Sequence, residues 1–217
     1  MRSLLLATLM LAFGAPAAQA AVTVDMNVAP DVTKYGQRSE ITGTALQDGV
    51  AFAGQPVVLE GRRYPFDGEF APIDDGVTAA DGTYEFKREL DRNWDLRVRV
   101  ADAVSPRERV YIFPASTLTF RARSANVIRV TQRYRVPRGV KLDKPTIFYV
   151  GERGVKRAPR AATGELKRIR AGRYRSTAIV RLPDEWNGKF RYASCFRYTG
   201  GSGMGNPRAT CPRRFKF

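Results

Sequence analysis

The sequence contains no histidine among its 217 residues. Imidazole is the usual base that activates a serine or cysteine nucleophile, so Ser-His-Asp triads and Cys-His pairs are excluded. Metal sites that depend on histidine ligands are excluded for the same reason. The chemistry that remains is that of carboxylates, of two cysteines and of 37 lysine and arginine side chains.

Four carboxylates, those of Asp67, Glu69, Asp74 and Asp75, lie in one segment that contains glycine and proline. A glycosidase needs two carboxyl groups that face each other across a sugar, and this spacing does not establish such a pair. Together with Asp81, these side chains also offer oxygen ligands for calcium, but Asp-Gly is first a turn signal. We therefore expect a protein that is not an enzyme, with no catalytic residue, metal or cofactor. A carbohydrate-active enzyme is the weaker alternative.

Arginine offers a different chemistry, the binding of anions. In residues 127–136 and 173–182, most apolar side chains occupy even-numbered positions, whereas the arginines occupy odd-numbered positions. Side chains two residues apart on a strand lie ~6.6 Å from each other on one face. Guanidinium groups bind phosphate and carboxylate through paired hydrogen bonds. The anion-binding candidates are Arg129, Arg133, Arg135, Arg173, Arg175 and Arg181, and residues such as Lys167 and Arg170 add charge nearby.

Charge is divided unequally along the chain. Residues 21–114 hold 11 basic and 16 acidic residues, a net of −5, whereas residues 115–217 hold 25 and 5, a net of +20. A net charge of about 2–8 is enough for solubility, so the excess favours a functional basic surface. The alternative is a coding bias for arginine, combined with the need for polar residues on the solvent face of a sheet.

The first 20 residues have the pattern of a secretory signal peptide. A basic start at Arg2 is followed by an apolar run, Leu4–Phe13, and by the small-residue sequence Ala18-Gln19-Ala20. The apolar run is too short to span a bilayer, which needs ~20 residues. We therefore expect an exported product, extracellular or periplasmic, that begins near Ala21 and has no transmembrane segment.

The elements that position these side chains are predicted to be strands, because alternation with period two dominates the sequence. In the first half they are Val22–Met26, Ser39–Leu46, Pro56–Arg62, Phe70–Thr78, Thr83–Leu90, Trp94–Ala101 and Arg107–Phe113. In the second half they are Thr117–Arg123, Val127–Val136, Thr146–Gly151, Glu165–Arg170, Arg173–Leu182, Lys189–Tyr198 and Arg208–Phe217. Asp81-Gly82 is the clearest hairpin turn.

The last strands contain both cysteines, Cys195 and Cys211. An even pair in an exported chain predicts a disulfide, here closing a loop of roughly 15 residues. The glycine-rich residues 199–205 between them are predicted to form a flexible hairpin loop. Four aromatic residues of one parity are predicted to face the core rather than to stack on bases. They are Phe190, Tyr192, Phe196 and Tyr198.

The first half resembles a known family. Tyr35-Gly36-Gln37, Ile41-Thr42-Gly43-Thr44, Ala53-Gly54-Gln55-Pro56-Val57 and Ala80-Asp81-Gly82-Thr83-Tyr84-Glu85-Phe86 are similar to bacterial immunoglobulin-like repeats, with transthyretin-like and carboxypeptidase-regulatory-like modules as near neighbours. The resemblance covers roughly residues 22–114. It implies a β-sandwich of the kind that serves as a spacer, an adhesive unit or an accessory binding module.

The sequence thus predicts an all-β protein with two tandem immunoglobulin-like antiparallel β-sandwich domains after a cleaved signal peptide. The expected boundaries are 1–20 for the signal peptide, 21–114 for the acidic sandwich and 115–217 for the basic sandwich with its disulfide. We expect a monomer that contacts an anionic polymer or membrane surface through the basic domain. The alternative from another class is a secreted accessory protein that docks on a protein partner through its loops.

Overall fold

A computed structural model describes residues 20–152, 159–186 and 190–207 of the chain. Those ranges contain strands and two short 3-10 helices, Asp184–Trp186 and Gly200–Ser202, and no α-helix. The strands of the first half are β1 (Val22–Val24), β2 (Asn27–Ala29), β3 (Val32–Lys34), β4 (Arg38–Gln47), β5 (Val50–Ala51), β6 (Pro56–Arg63), β7 (Ala71–Val77), β8 (Thr83–Glu89), β9 (Trp94–Val100), β10 (Ala103–Val104) and β11 (Glu108–Phe113). Those of the second half are β12 (Ala115–Ser124), β13 (Val127–Arg135), β14 (Thr146–Glu152), β15 (Arg160–Arg170), β16 (Arg173–Arg181) and β17 (Phe190–Cys195). The all-β prediction is confirmed.

The first half forms two sheets that pack on each other. In the first sheet, β1, β2, β5 and β8 all pair with the long strand β4. In the second sheet the order is β3-β11-β9-β6-β7, with β10 paired to β9 and β3 parallel to β11. Ile41 from the first sheet and Leu59 and Val98 from the second are fully buried in one shared core.

The second half forms one continuous six-stranded sheet, with the order β12-β13-β16-β15-β14-β17. Bulges in β12 and, at two places, in β15 interrupt the register, and bulges bend the strands that contain them. The two edge strands approach each other, since the ring centroid of Phe120 lies 4.6 Å from that of Tyr192 and 5.4 Å from that of Phe190. The described part of the second half is therefore a single, nearly closed, barrel-like sheet, which we call the basic sheet. A sandwich requires a pair of sheets, so the described strands do not form the predicted second sandwich.

Two buried carboxylates pair with five arginines of the second sheet. Asp95 has no exposed side-chain surface and pairs with Arg62 (3.2 Å), Arg107 (3.2 Å) and Arg109 (2.7 Å). Glu60, which is 4% exposed, binds Arg97 and Arg99. Burial raises the pKa of Asp95, but the hydrogen bond and charge of Arg109, helped by Arg107 and Arg62, outweigh it and hold the pKa below its usual value.

Residues 199–205, which we call the docked loop, connect the two halves after β17. Met204 in this loop is fully buried in the core that also contains Ile112 of β11. The buried side chain of Asn93 accepts a hydrogen bond from the Ile112 N–H and donates one to the Gly205 carbonyl, both at 2.8 Å. A Cβ on Gly203 would lie 2.6 Å from the ring of Tyr64, so only glycine allows this close approach. Thr199 and Met204 form an antiparallel bridge, so the chain turns back on itself as predicted, but the loop is packed into the core instead of being free.

Most predicted strands are present within a few residues of their expected bounds, but four short strands, β2, β3, β5 and β10, were not predicted. The turn at Asp81-Gly82 exists, yet it carries the chain from β7 in the second sheet to β8 in the first, so it does not close a hairpin. Phe190 and Tyr192 pack against the core of the basic sheet and Phe196 against the shared core, as predicted.

Three predictions fall on residues that the structure does not describe. Nearly all of the predicted signal peptide, 1–20, and the last predicted strand, Arg208–Phe217, lie outside the described ranges. Cys195 is buried, but Cys211 also lies outside, so no disulfide is seen within the described residues and the pairing stays a prediction. The boundary between the halves is short, because only Pro114 separates β11 from β12.

Candidate anion-binding site

The outer face of the basic sheet carries the predicted arginines. On β13, Val130 and Tyr134 are buried while Arg129, Arg133 and Arg135 are exposed. β16 alternates in the same way, with Arg173 and Arg175 exposed among buried neighbours. Successive side chains on a strand point to opposite faces, so one buried face places every arginine of the other parity in solvent.

Strand register arranges these side chains in rows across the sheet. Arg133 of β13 stands opposite Arg175 of β16 on one side and Thr117 of β12 on the other, and Arg175 stands opposite Lys167 of β15. The neighbouring row contains hydroxyl groups together with one carboxylate. It consists of Thr119, Thr131, Thr177 and Glu165.

The next row pairs Arg121 of β12 with Arg129 of β13. Arg129 is four residues from Arg133 along the strand, a distance of ~13 Å at about 3.3 Å per residue. Two basic rows therefore flank a row of threonines. An extended ligand along the strands would meet cationic groups at both ends and hydroxyl groups between them.

The rows line an open groove of about 680 Å³, which we call the arginine groove. Its charged lining consists of Arg121, Arg129, Arg133, Lys167, Arg175 and the carboxylate of Glu165. Five positive charges and one negative charge give a local net charge of +4. Glu165 is 3.3 Å from the Lys167 ammonium group, which leaves the arginines as the uncompensated charges of the groove.

Within the described residues, Arg121, Arg129, Arg133 and Arg175 form no ion pair, in contrast to the five ion-paired arginines of the second sheet. Like charges directly opposite each other on neighbouring strands are destabilising. The Arg133–Arg175 and Arg121–Arg129 pairs are both of this kind. The fold therefore keeps an electrostatic repulsion that an anion in the groove would relieve.

The structure brings together only some of the predicted site residues. Arg129, Arg133 and Arg175 line the arginine groove. Arg135 and Arg173 face each other one row further along and line a second cavity. Arg181 lies at the end of β16 opposite Val127, outside the groove. Arg121 was missed, although its position two residues from Arg123 on a predicted strand was a usable signal.

The carboxylates of the first half do not form a comparable site. Asp67 and Glu69 are exposed, and Asp74 lies 3.4 Å from the Arg88 guanidinium. Hydrogen bonds from the Thr83 hydroxyl and from its backbone N–H lower the pKa of Asp81, which therefore acts as a turn residue. In the part of the chain that the structure covers, no group of three or more histidine, cysteine or acidic residues is placed to hold a metal ion.

Comparison with known proteins assigns no family to this chain, because no protein-family model and no curated protein matches it. Among the described residues, no helix is both long enough and apolar enough to cross a membrane. The chain is an all-β protein with several largely antiparallel sheets, one of which carries a basic groove.

Proposed function

We propose that this protein is an exported, non-catalytic binding module that holds an anionic polymer in the arginine groove. One observation supports this most directly. Four arginines and one lysine surround a single groove that contains only one carboxylate, and the arginines make no ion pair within the described residues. A surface kept soluble by mixed charge would place acidic residues among the basic ones.

A polymer fits the groove better than a single small anion. The groove is open, and its two basic rows lie ~13 Å apart along the strands, so one ligand must present several anionic groups to contact both rows. Guanidinium groups form paired hydrogen bonds with phosphate, sulfate or carboxylate groups. The hydroxyl groups of Thr131 and Thr177, 3.5 Å apart, lie between the rows and can donate to the polymer backbone.

The first half has a supporting role in this proposal. The signal peptide would deliver the chain to the cell envelope or beyond, where anionic polysaccharides, lipid phosphates and extracellular nucleic acid occur. We also propose that residues 21–114 form an immunoglobulin-like domain. Two packed sheets in which most arginines are held in ion pairs would serve as a spacer or as a partner-facing module.

Retention on immobilised heparin tests the proposal. We expect the double variant Arg133→Gln/Arg175→Gln to elute at a clearly lower salt concentration than the wild type, because it removes the two facing arginines of one row. The matched control is Arg38→Gln/Arg181→Gln, which removes the same charge from exposed positions outside the groove. Its elution should stay close to that of the wild type.

Salt dependence gives a second measurement with a duplex DNA probe. Each neutralised phosphate contributes about 0.9 to the slope of log affinity against log salt, so losing both arginines should lower that slope by about 2. If both double variants elute together and share one slope, binding follows net charge alone. The arginine groove would then not be a site, and the proposal would be refuted.

A further inference from the structure

A second basic cavity lies at the end of the basic sheet, where this sheet meets the first half of the chain. It has a volume of about 460 Å³. Four arginines from the second half and one tyrosine from the first half line it, and we call it the junction pocket. These residues are Arg135, Arg138, Arg170, Arg173 and Tyr35.

The backbone fixes three of these arginines side by side. Arg170 and Arg173 flank the two-residue turn between β15 and β16 and stand opposite each other, and Arg173 also stands opposite Arg135 of β13. The turn is docked on β13, since the Gly172 carbonyl accepts a hydrogen bond from the Val136 N–H at 3.0 Å. Gly172 has a φ of +69°, and a Cβ there would lie 2.6 Å from the Val136 carbonyl oxygen.

The first half closes one side of the pocket. Tyr35 lies after β3, and its backbone N–H donates to the Phe113 carbonyl at 2.8 Å, just before the chain enters the basic sheet. The guanidinium of Arg135 lies 5.5 Å from the centre of the Tyr35 ring. This wall distinguishes the junction pocket from the arginine groove, which lies on the open face of the sheet.

The charges of the junction pocket are not balanced. No carboxylate lines it, and none of its four arginines forms an ion pair with a described residue. Three arginines in adjacent cross-strand positions repel one another. An open pocket of about 460 Å³ has room for more than one phosphate group.

We propose that the junction pocket binds a compact ligand with two or more phosphate groups, of the pyrophosphate type. Four guanidinium groups match the charge and the geometry of such a ligand, because each one can bind a phosphate through two hydrogen bonds. The Tyr35 wall limits the size of the ligand on one side. This inference goes beyond polymer binding and does not require it, since Arg138 and Arg170 do not line the arginine groove.

Calorimetric titration of the full chain with inorganic pyrophosphate tests the inference at a fixed, near-physiological salt concentration. We expect saturable binding at one site and a higher melting temperature. The double variant Arg138→Gln/Arg170→Gln should weaken pyrophosphate binding by about tenfold or more, because it removes charged hydrogen-bond donors. Circular dichroism should confirm its fold, since both side chains are exposed.

Two comparisons make the result decisive. The groove variant Arg121→Gln/Arg129→Gln loses the same charge and should keep its pyrophosphate affinity within about twofold, because interactions at separate sites are nearly independent. The variant Arg138→Lys/Arg170→Lys keeps the charge but loses the paired donors, so its affinity should fall between those of the wild type and the glutamine variant.

Absence of saturable binding to the wild type, or equal losses in the junction and groove variants, would overturn the inference. Heparin retention by the wild type and by the junction variant is measured separately. The failure of the junction pocket can thus be distinguished from the failure of the groove proposal.

Discussion

Replacing Met204 with alanine should measure how strongly the docked loop holds the two halves together. Met204 is fully buried in the shared core. The change removes three heavy side-chain atoms, worth about 0.8 kcal/mol each at the value for a buried methylene, or about 2.4 kcal/mol in transfer energy. The cavity left behind adds to this, and measured Met→Ala changes in cores cost about 2–5 kcal/mol. We therefore expect a loss of about 3 kcal/mol.

Urea unfolding and calorimetry provide the assay. For a chain of this size, 1 kcal/mol corresponds to about 2–4 °C, so the melting temperature should fall by about 6–12 °C. Val50→Ala is the control, because Val50 is 69% exposed and exposed positions usually change stability by no more than about 0.5 kcal/mol.

Hydrogen exchange localises the effect of the Met204 change. The Asn93 N–H donates to the Gly203 carbonyl, so its exchange should accelerate when the loop detaches. The Val98 N–H, bonded to the Ser105 hydroxyl inside the second sheet, should exchange as before. A cost as small as that of Val50→Ala, with no change at Asn93, would show that the loop is not held in the core and would refute the reasoning.

Two further predictions concern charged residues. Asp95→Asn should cost about 3–5 kcal/mol at neutral pH, because it leaves Arg62, Arg107 and Arg109 around a neutral group. The native pKa of Asp95 lies below the unfolded value of about 3.9. Its contribution to the free energy of unfolding is therefore present above that pH and is lost as the pH falls through the native pKa. Urea unfolding across acidic pH should show this loss in the wild type and not in the variant. Arg133→Gln should raise the free energy of unfolding by about 0.2–1 kcal/mol at low salt by relieving repulsion with Arg175, and a gain that persists unchanged at high salt would contradict this origin.

Local pattern was sufficient to predict most strands and the faces of their side chains. Arg129, Arg133 and Arg135 alternate with buried residues on β13, and this alternation is visible in the sequence itself. The short strands were not predictable in this way. β2 and β3 are three residues each and surround Pro30, so they have no alternation to detect and form because β4 and β11 offer pairing partners.

The amino-acid composition of the docked loop did not indicate that this loop is packed in the core. Glycine-rich residues usually indicate mobility, and Gly200, Gly201 and Gly203 gave that prediction. In the structure, glycine serves close packing, because the ring of Tyr64 occupies the space where a Cβ on Gly203 would stand. Nothing near Tyr64 in the sequence indicates a partner about 140 residues away.

The strand-rich fold class, the charge division and the solvent-facing positions of the arginines could all be predicted from the amino-acid sequence, because each of them depends on residue type or on spacing along one strand. The folded arrangement of the strands was needed to show that Arg133 stands opposite Arg175, 42 residues away, and that Tyr35 closes a pocket against Arg135, 100 residues away. Register and sheet order are set by the packing of whole faces against one another. Local periodicity carries no information about which strands become neighbours.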